Sequence, residues 1–104
     1  MDEAAAQRAV VDLLLGPDCL PLKIRAGEFV DESDVARLFD ALGVLIAAYR
    51  GRTTVPKEIA LALVDISAHF DNRFYTEVQQ NRLEDIGHEL QRLAEELFST
   101  AERR

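Results

Sequence analysis

The sequence predicts an all-α protein, a small bundle of about four helices in which the last helix is long and carries a heptad seam. Apolar residues recur at spacings of three and four in four segments, which is typical of amphipathic helices, and the alternating pattern of a half-buried strand is almost absent. Glycine or proline ends two of these segments. A chain of 104 residues has the size of one domain, so we expect residues 1–104 to form a single helical domain.

The first predicted helix covers residues 3–15 and is short and rich in alanine. Gly16 and Pro17 end it, because glycine is a common C-terminal cap and proline cannot continue a helix. Its apolar stripe consists of Ala6, Ala9, Val10, Leu13 and Leu14. We interpret residues 17–30 as a loop that lies on the core, since its apolar side chains would otherwise be exposed. Those side chains are Leu20, Leu22, Ile24 and Phe29.

The second predicted helix has the clearest start in the chain. Asp31 is placed to cap its N-terminus, and Glu32 and Asp34 follow in the first turn, where carboxylates complement the helix dipole. Gly51 provides the left-handed residue that commonly follows a helix end. The apolar positions between them form a single face wide enough for a bundle core: Val35, Leu38, Phe39, Leu42, Leu45, Ile46 and Tyr49.

The third predicted helix begins in residues 53–56, where Pro56 is tolerated in a first turn, and continues to Phe70. From Ile59 onward its residues are almost entirely apolar. A helix that is apolar on nearly all sides is enclosed on nearly all sides. We therefore expect this helix to be the central one, either in the bundle or in an oligomer.

The fourth predicted helix covers residues 72–103, with Asp71 and Asn72 as its candidate cap. At 1.5 Å per residue such a helix is about 45 Å long, so we expect part of it to project beyond a small core. A change of phase between Val78 and Leu83 indicates that its two halves face different partners. The heptad seam of the second half would close the bundle or form a homodimer, and it consists of Leu83, Ile86, Leu90, Leu93 and Leu97.

The charge balance is acidic, with 19 Asp and Glu against 12 Lys and Arg and a net charge of −7. This sign disfavours direct binding to nucleic acid and to anionic membranes. Acids are concentrated near the start of the second predicted helix, where we place a candidate face for a basic protein partner. Its residues are Asp31, Glu32, Asp34 and Asp40. The simpler interpretation is that these acids cap the helix and complement its dipole.

We predict a cytoplasmic location and a bacterial source. Cys19 is the only cysteine, so no intrachain disulfide can form, and we expect a buried structural thiol. The first residues are acidic where a secretory signal is basic, and the longest apolar run, residues 42–49, is too short to cross a bilayer. Arginine outnumbers lysine ten to two, which favours a GC-rich bacterial genome.

The residues that could carry chemistry are two carboxylate–histidine pairs. Carboxylate and imidazole groups stand four residues apart in two pairs, which are Asp65 with His69 and Glu84 with His88, the spacing of helical metal sites. The ligand pattern is incomplete, so the favoured interpretation is that each histidine bonds its own helical neighbour. We predict no catalytic residues and no cofactor, since no nucleophile or phosphate-loop motif occurs.

One turn is locally basic and is a possible anion site: Arg50, Arg52, Thr53 and Thr54. The alternative is that the same residues only end one helix and begin the next, with a threonine as the cap.

Three functional classes follow from these features. The leading one is a non-enzymatic helical module for protein–protein interaction or regulation, expected to be a homodimer. The second is an acidic inhibitor, such as an immunity protein or antitoxin, that neutralises a basic partner. The third is a metal-dependent helical enzyme.

Overall fold

The computed structural model describes residues 1–72 and 75–99, and the all-α prediction is confirmed for them. In these residues the chain forms α1 (Glu3–Leu15), α2 (Leu20–Arg25), α3 (Glu32–Tyr49), α4 (Lys57–Leu63) and α5 (Glu77–Phe98). A short 3₁₀ helix, Ile66–His69, lies between α4 and α5. No β-strand occurs in this part of the chain.

Helix α1 has the predicted bounds, and all five residues of its predicted stripe are buried. The Asp2 side chain caps it by accepting a hydrogen bond from the backbone N–H of Ala5 at 2.8 Å. At the other end the N–H of Gly16 donates to the carbonyl of Asp12. The buried stripe contacts α3 and α4.

The predicted loop over residues 17–30 contains helix α2, and this part of the prediction is wrong. Pro21 lies in the first turn of α2, where a missing N–H leaves no intrahelical bond unmade. Leu20 and Ile24, one helical turn apart, are buried, so the segment does cover the core. Leu22 and Phe29 do not share that role, because their side chains are 45% and 80% exposed.

Helix α3 begins and ends as predicted, and it contacts both α1 and α5. Asp31 caps it by accepting hydrogen bonds from the N–H and the hydroxyl of Ser33. After its end Gly51 has a φ of 80°, a left-handed conformation that glycine adopts at low cost.

The third predicted helix is wrong in its length and in its surroundings. Helix α4 ends at Leu63, and Asp65 has a φ of 51°, which no residue within a right-handed helix has. The chain then continues as the 3₁₀ helix, and this segment ends at Phe70, which is buried in the core. Leu61 and Val64 are 63% and 55% exposed, so the segment is not enclosed.

Helix α5 begins at Glu77 rather than at residue 72. Thr76 and Gln79 form a capping box: the Thr76 hydroxyl accepts from the Gln79 N–H at 3.2 Å, and the Gln79 side chain accepts from the Thr76 N–H at 3.0 Å. Residues 100–103 of the predicted helix lie outside the described residues.

The predicted seam packs inside the chain. Four of its residues are buried and Leu93 is partly buried, and the same face includes the buried Gly87 and Ala94. The seam faces α3 and the 3₁₀ helix, so it closes the bundle. Between Leu83 and Leu97 the predicted projection does not occur, because buried residues recur along this whole stretch of the helix.

Candidate functional site: two exposed apolar surfaces

The predicted acidic face is divided among contacts within the chain. Asp31 is the cap of α3, and the hydrogen bonds from Ser33 lower the pKa of its carboxyl. Glu32 forms a two-pronged ion pair with Arg82 of α5, with Nε at 3.0 Å from Oε2 and Nη2 at 2.5 Å from Oε1. This pair lowers the pKa of Glu32 and raises that of Arg82. Both acids therefore have a structural role.

The other two predicted acids point in different directions. Asp34 lies 3.9 Å from the ammonium group of Lys23. Asp40 is exposed, and at about 100° per residue it is rotated by about 80° from Glu32 around the α3 axis. By the same geometry Asp34 is rotated by about 160° from Glu32. The four acids do not lie together on one face of α3.

The basic turn after α3 is largely occupied. The Arg52 guanidinium holds both carboxylate oxygens of Glu3, at 3.1 and 3.2 Å, and lies 5.4 Å from the centre of the Tyr49 ring. Arg50, Thr53 and Thr54 are exposed. Helix α4 follows Pro56 and has no side-chain cap hydrogen bond, so the threonine cap is wrong. The turn joins α3 to α1 rather than presenting two free arginines.

The candidate metal ligands are not assembled into a site. Asp65 lies in the break after α4 and His69 in the 3₁₀ helix, so their helical spacing of four is lost. Glu84 and His88 are exposed on α5. Within residues 1–72 and 75–99 no three His, Cys, Asp or Glu residues are grouped closely enough to hold a metal ion.

The first exposed apolar surface is an open recess of about 260 Å³ between the end of α1, α2 and α4, here called the leucine recess. Leu15, Leu22 and Leu61 line it and are 41%, 45% and 63% exposed. The thiol-bearing Cys19 lines it as well and is buried, as predicted. Arg25 and the imidazole of His69 are at its border, and none of the described lining residues is a carboxylate.

The second exposed apolar surface is a groove of about 230 Å³ between the α2–α3 connection and the start of α5, here called the Phe29 groove. Phe29 and Val30 line one wall, and Tyr75 and Val78 line the other. Phe29 and Val78 are 80% and 79% exposed, the highest values among the large apolar residues that the structure describes. The Glu32 and Arg82 pair also borders this groove.

Sequence reasoning did not single out either surface. The change of phase between Val78 and Leu83 was a usable signal for the Phe29 groove, because it places Val78 outside the buried face of α5. For the leucine recess no comparable signal exists, since Leu61 lies in a segment that is apolar throughout.

None of the helices in the described part of the chain has both the length and the apolar character needed to cross a membrane. Comparisons of the chain with protein-family models, with curated proteins and with solved structures found no match.

Proposed function

We propose that the chain is a non-enzymatic protein–protein interaction module that forms a homodimer through the leucine recess. The observation that carries this proposal is the arrangement of Leu15, Leu22 and Leu61, three exposed leucines from three helices around one open recess. Single exposed apolar residues are ordinary on protein surfaces, but a contiguous group around a concavity is typical of a binding site.

The charge distribution supports a second copy as the occupant. Two chains of net charge −7 repel each other over most of their surfaces. Arg25 and His69 line the leucine recess and none of the described carboxylates does, so this repulsion is reduced there. Two-fold symmetry then brings the same patch of both copies together, and Leu61 of each copy can enter the recess of the other.

Burial of the leucines provides the driving force. Removing apolar surface from water stabilises a complex by about 25 cal/mol per Å², less the cost of association.

We also propose that the protein works in the cytoplasm, because its single cysteine is a free, buried thiol and therefore fits a reducing compartment.

The experiment is a mass measurement in solution by sedimentation or light scattering at micromolar concentration. We expect twice the chain mass of 11.7 kDa for the wild type. Leu61→Gln keeps a good helix former but removes an exposed leucine, and we expect it to weaken the dimer at least tenfold. Val78→Gln, which removes an apolar side chain that is 79% exposed on α5, is the matched control and should stay dimeric.

Two results would contradict the homodimer. One is a wild-type protein that remains monomeric at tens of micromolar. The other is an equal dissociation constant for the wild type and Leu61→Gln, which would place the interface on a different surface.

A further inference from the structure

We infer that the Phe29 groove is a second docking surface and that its partner is a basic amphipathic helix, a segment that presents apolar side chains flanked by lysine or arginine. This inference concerns a different surface and a different partner from the proposed homodimer. It rests on three observations: the exposed apolar walls of the groove, the bonds that hold the walls together, and the charge of the rim.

The walls of the groove are apolar and face solvent. Phe29 follows α2 and is 80% exposed, and Val78 lies in the first turn of α5 and is 79% exposed. Tyr75 and Val30 lie between them and pack partly on the core. A ring and an aliphatic side chain on opposite sides of a groove of about 230 Å³ leave room for one or two aliphatic side chains of a partner.

The two walls are tied to each other before any partner binds. The Tyr75 hydroxyl donates a hydrogen bond to the backbone carbonyl of Glu28, which directly precedes Phe29. The Arg82 guanidinium binds the carboxylate of Glu32 through two hydrogen bonds. The first contact joins the α2–α3 connection to the residues just before α5, and the second joins the first residue of α3 to α5. A groove that is already ordered loses little conformational entropy when it binds a partner.

The surface beside the groove carries negative charge. Burial and, after it, the charge of Glu28 raise the pKa of Tyr75, so the Glu28 carboxylate acts on a residue that lines the groove. Asp31 and Glu77 are exposed and directly follow or precede the lining residues Val30 and Val78 in the chain, although Asp31 also caps α3. The one base that lines the groove, Arg82, is already paired with Glu32.

This arrangement favours a partner with positive charge. Apolar contact in the centre with carboxylates at the border complements an apolar ridge flanked by cations. A second copy of the chain would bring its own carboxylates against this rim, and nucleic acid or an anionic membrane would bring phosphates, so like-charge repulsion disfavours all three. The predicted basic partner thus has a binding surface, although it is made by the groove and not by one face of α3.

The test uses three synthetic helical peptides of about fifteen residues. The first places leucines along one helical face and lysines at its borders. The second has glutamate in place of every lysine. The third has the composition of the first with the leucines spread around the helix, and it measures attraction due to charge alone. Binding to the ¹⁵N-labelled full chain is followed by NMR chemical-shift changes and by fluorescence anisotropy.

We expect the basic amphipathic peptide to bind at least tenfold more tightly than either control peptide. The largest shifts should map to the amides around Phe29 and Val78, and affinity should fall as salt is added. Phe29→Ser and Val78→Gln each remove an exposed side chain and should each weaken binding at least fivefold. Phe98→Ser, at a position that is 40% exposed at the far end of α5, is the control that should leave the affinity unchanged.

The inference is overturned if the basic peptide does not bind, if the acidic or scrambled peptide binds equally well, or if the shifts map to another surface. Equal affinity of Phe29→Ser, Val78→Gln and the wild type would overturn it as well. The outcome is independent of the homodimer, because Leu61→Gln alters the leucine recess and leaves the residues of the Phe29 groove in place.

Discussion

Residues 57–70, which contain α4 and the 3₁₀ helix, differ from helix α5 both in sequence pattern and in the regularity of the structure that they form. Residues 57–70 are apolar on nearly all sides, and they break into a seven-residue helix, a left-handed residue and a 3₁₀ helix. Helix α5 is amphipathic and runs unbroken for 22 residues with its apolar seam buried. The more hydrophobic of the two segments is the less regular one.

The two segments differ in how well their sequence pattern fixes the orientation of a helix against the core. In α5 charged residues occupy the faces away from the seam, so only one orientation buries the leucines and keeps the charges in water. In residues 57–70 few charged residues are present to fix one orientation, and the chain turns at Asp65, a residue type that tolerates the left-handed conformation better than most. Leu61 then remains on the surface, 63% exposed, and becomes part of the proposed dimer interface.

The comparison predicts its largest effect for leucine truncation. Leu90→Ala in the α5 seam removes a side chain that is fully buried, and we expect a loss of about 2 to 5 kcal/mol in the free energy of unfolding. Leu61→Ala in α4 should change the stability of the monomer by less than about 0.5 kcal/mol. Urea denaturation at low protein concentration measures both. Equal losses would mean that Leu61 is enclosed after all.

A smaller change in the free energy of unfolding is expected for a substitution at Gly87, where α5 packs against the 3₁₀ helix. A Cβ added at Gly87 of α5 would lie 3.2 Å from the Cβ of Phe70 and 3.3 Å from the carbonyl oxygen of Ser67. Gly43 in α3 has nothing within 4 Å of the same position. Gly43→Ala should therefore stabilise the protein by about 0.5 to 1 kcal/mol through helix propensity.

We expect that Gly87→Ala does not stabilise the protein, because the tightly packed backbone around Gly87 resists the extra methyl group. This variant should be less stable than Gly43→Ala by about 1 to 2 kcal/mol. Thermal denaturation of the two variants side by side is the measurement. A Gly87→Ala variant as stable as Gly43→Ala would show that the 3₁₀ helix can move away from α5 freely.

The break itself can be tested at Asp65. Asp65→Gly places glycine at a left-handed position, so we expect the stability to stay the same or to rise by up to about 1 kcal/mol. Ala36→Gly, at an exposed position inside α3, should cost about 1 kcal/mol and serves as the control. A cost at Asp65 as large as that at Ala36 would indicate a continuous helix from α4 to Phe70.

The smallest effect concerns the pair that ties α3 to α5. Arg82 lowers the pKa of Glu32 below its ordinary value of 4.5, so the ionised form stabilises the fold above that pH and the stabilisation is lost as the pH falls further. The two side chains are 59% and 49% exposed, and solvent screening limits the contribution to less than about 1 kcal/mol.

Glu32→Gln removes this contribution. The difference in unfolding free energy between the wild type and the variant should be largest near pH 7, shrink below pH 4.5, and diminish in high salt. A difference that stays constant across this pH range would contradict an ionic role for the pair.

The sequence predicted what depends on local pattern. The stripe of α1, the Asp31 cap with the full length of α3, and the buried seam of α5 all follow from apolar spacing and helix-end chemistry, and the structure confirms them. The helical α2 was missed because proline and glycine in residues 17–30 indicate a loop, although proline fits a first helical turn. The start of α5 was missed because Thr76 and Gln79 were not recognised as a capping box.

The two exposed apolar surfaces could not be predicted from the sequence, for a different reason. Sequence periodicity tells which side chains of a helix share a face, but not how much of that face its neighbours cover. Leu15, Leu22 and Leu61 come from three helices, and only their packing leaves them exposed around one recess. Two acids at the start of α3 likewise have partners on other helices, Asp34 on α2 and Glu32 on α5.

By itself the sequence determined the helical class, the acidic surface and the faces of α1, α3 and α5, because these depend on residue type and on neighbours within a turn or two. Only the tertiary structure decided where the apolar segment after Pro56 breaks and that the seam closes the bundle within one chain. It also decided which apolar residues remain exposed. These outcomes depend on how much area distant elements bury together, and no local pattern contains that quantity.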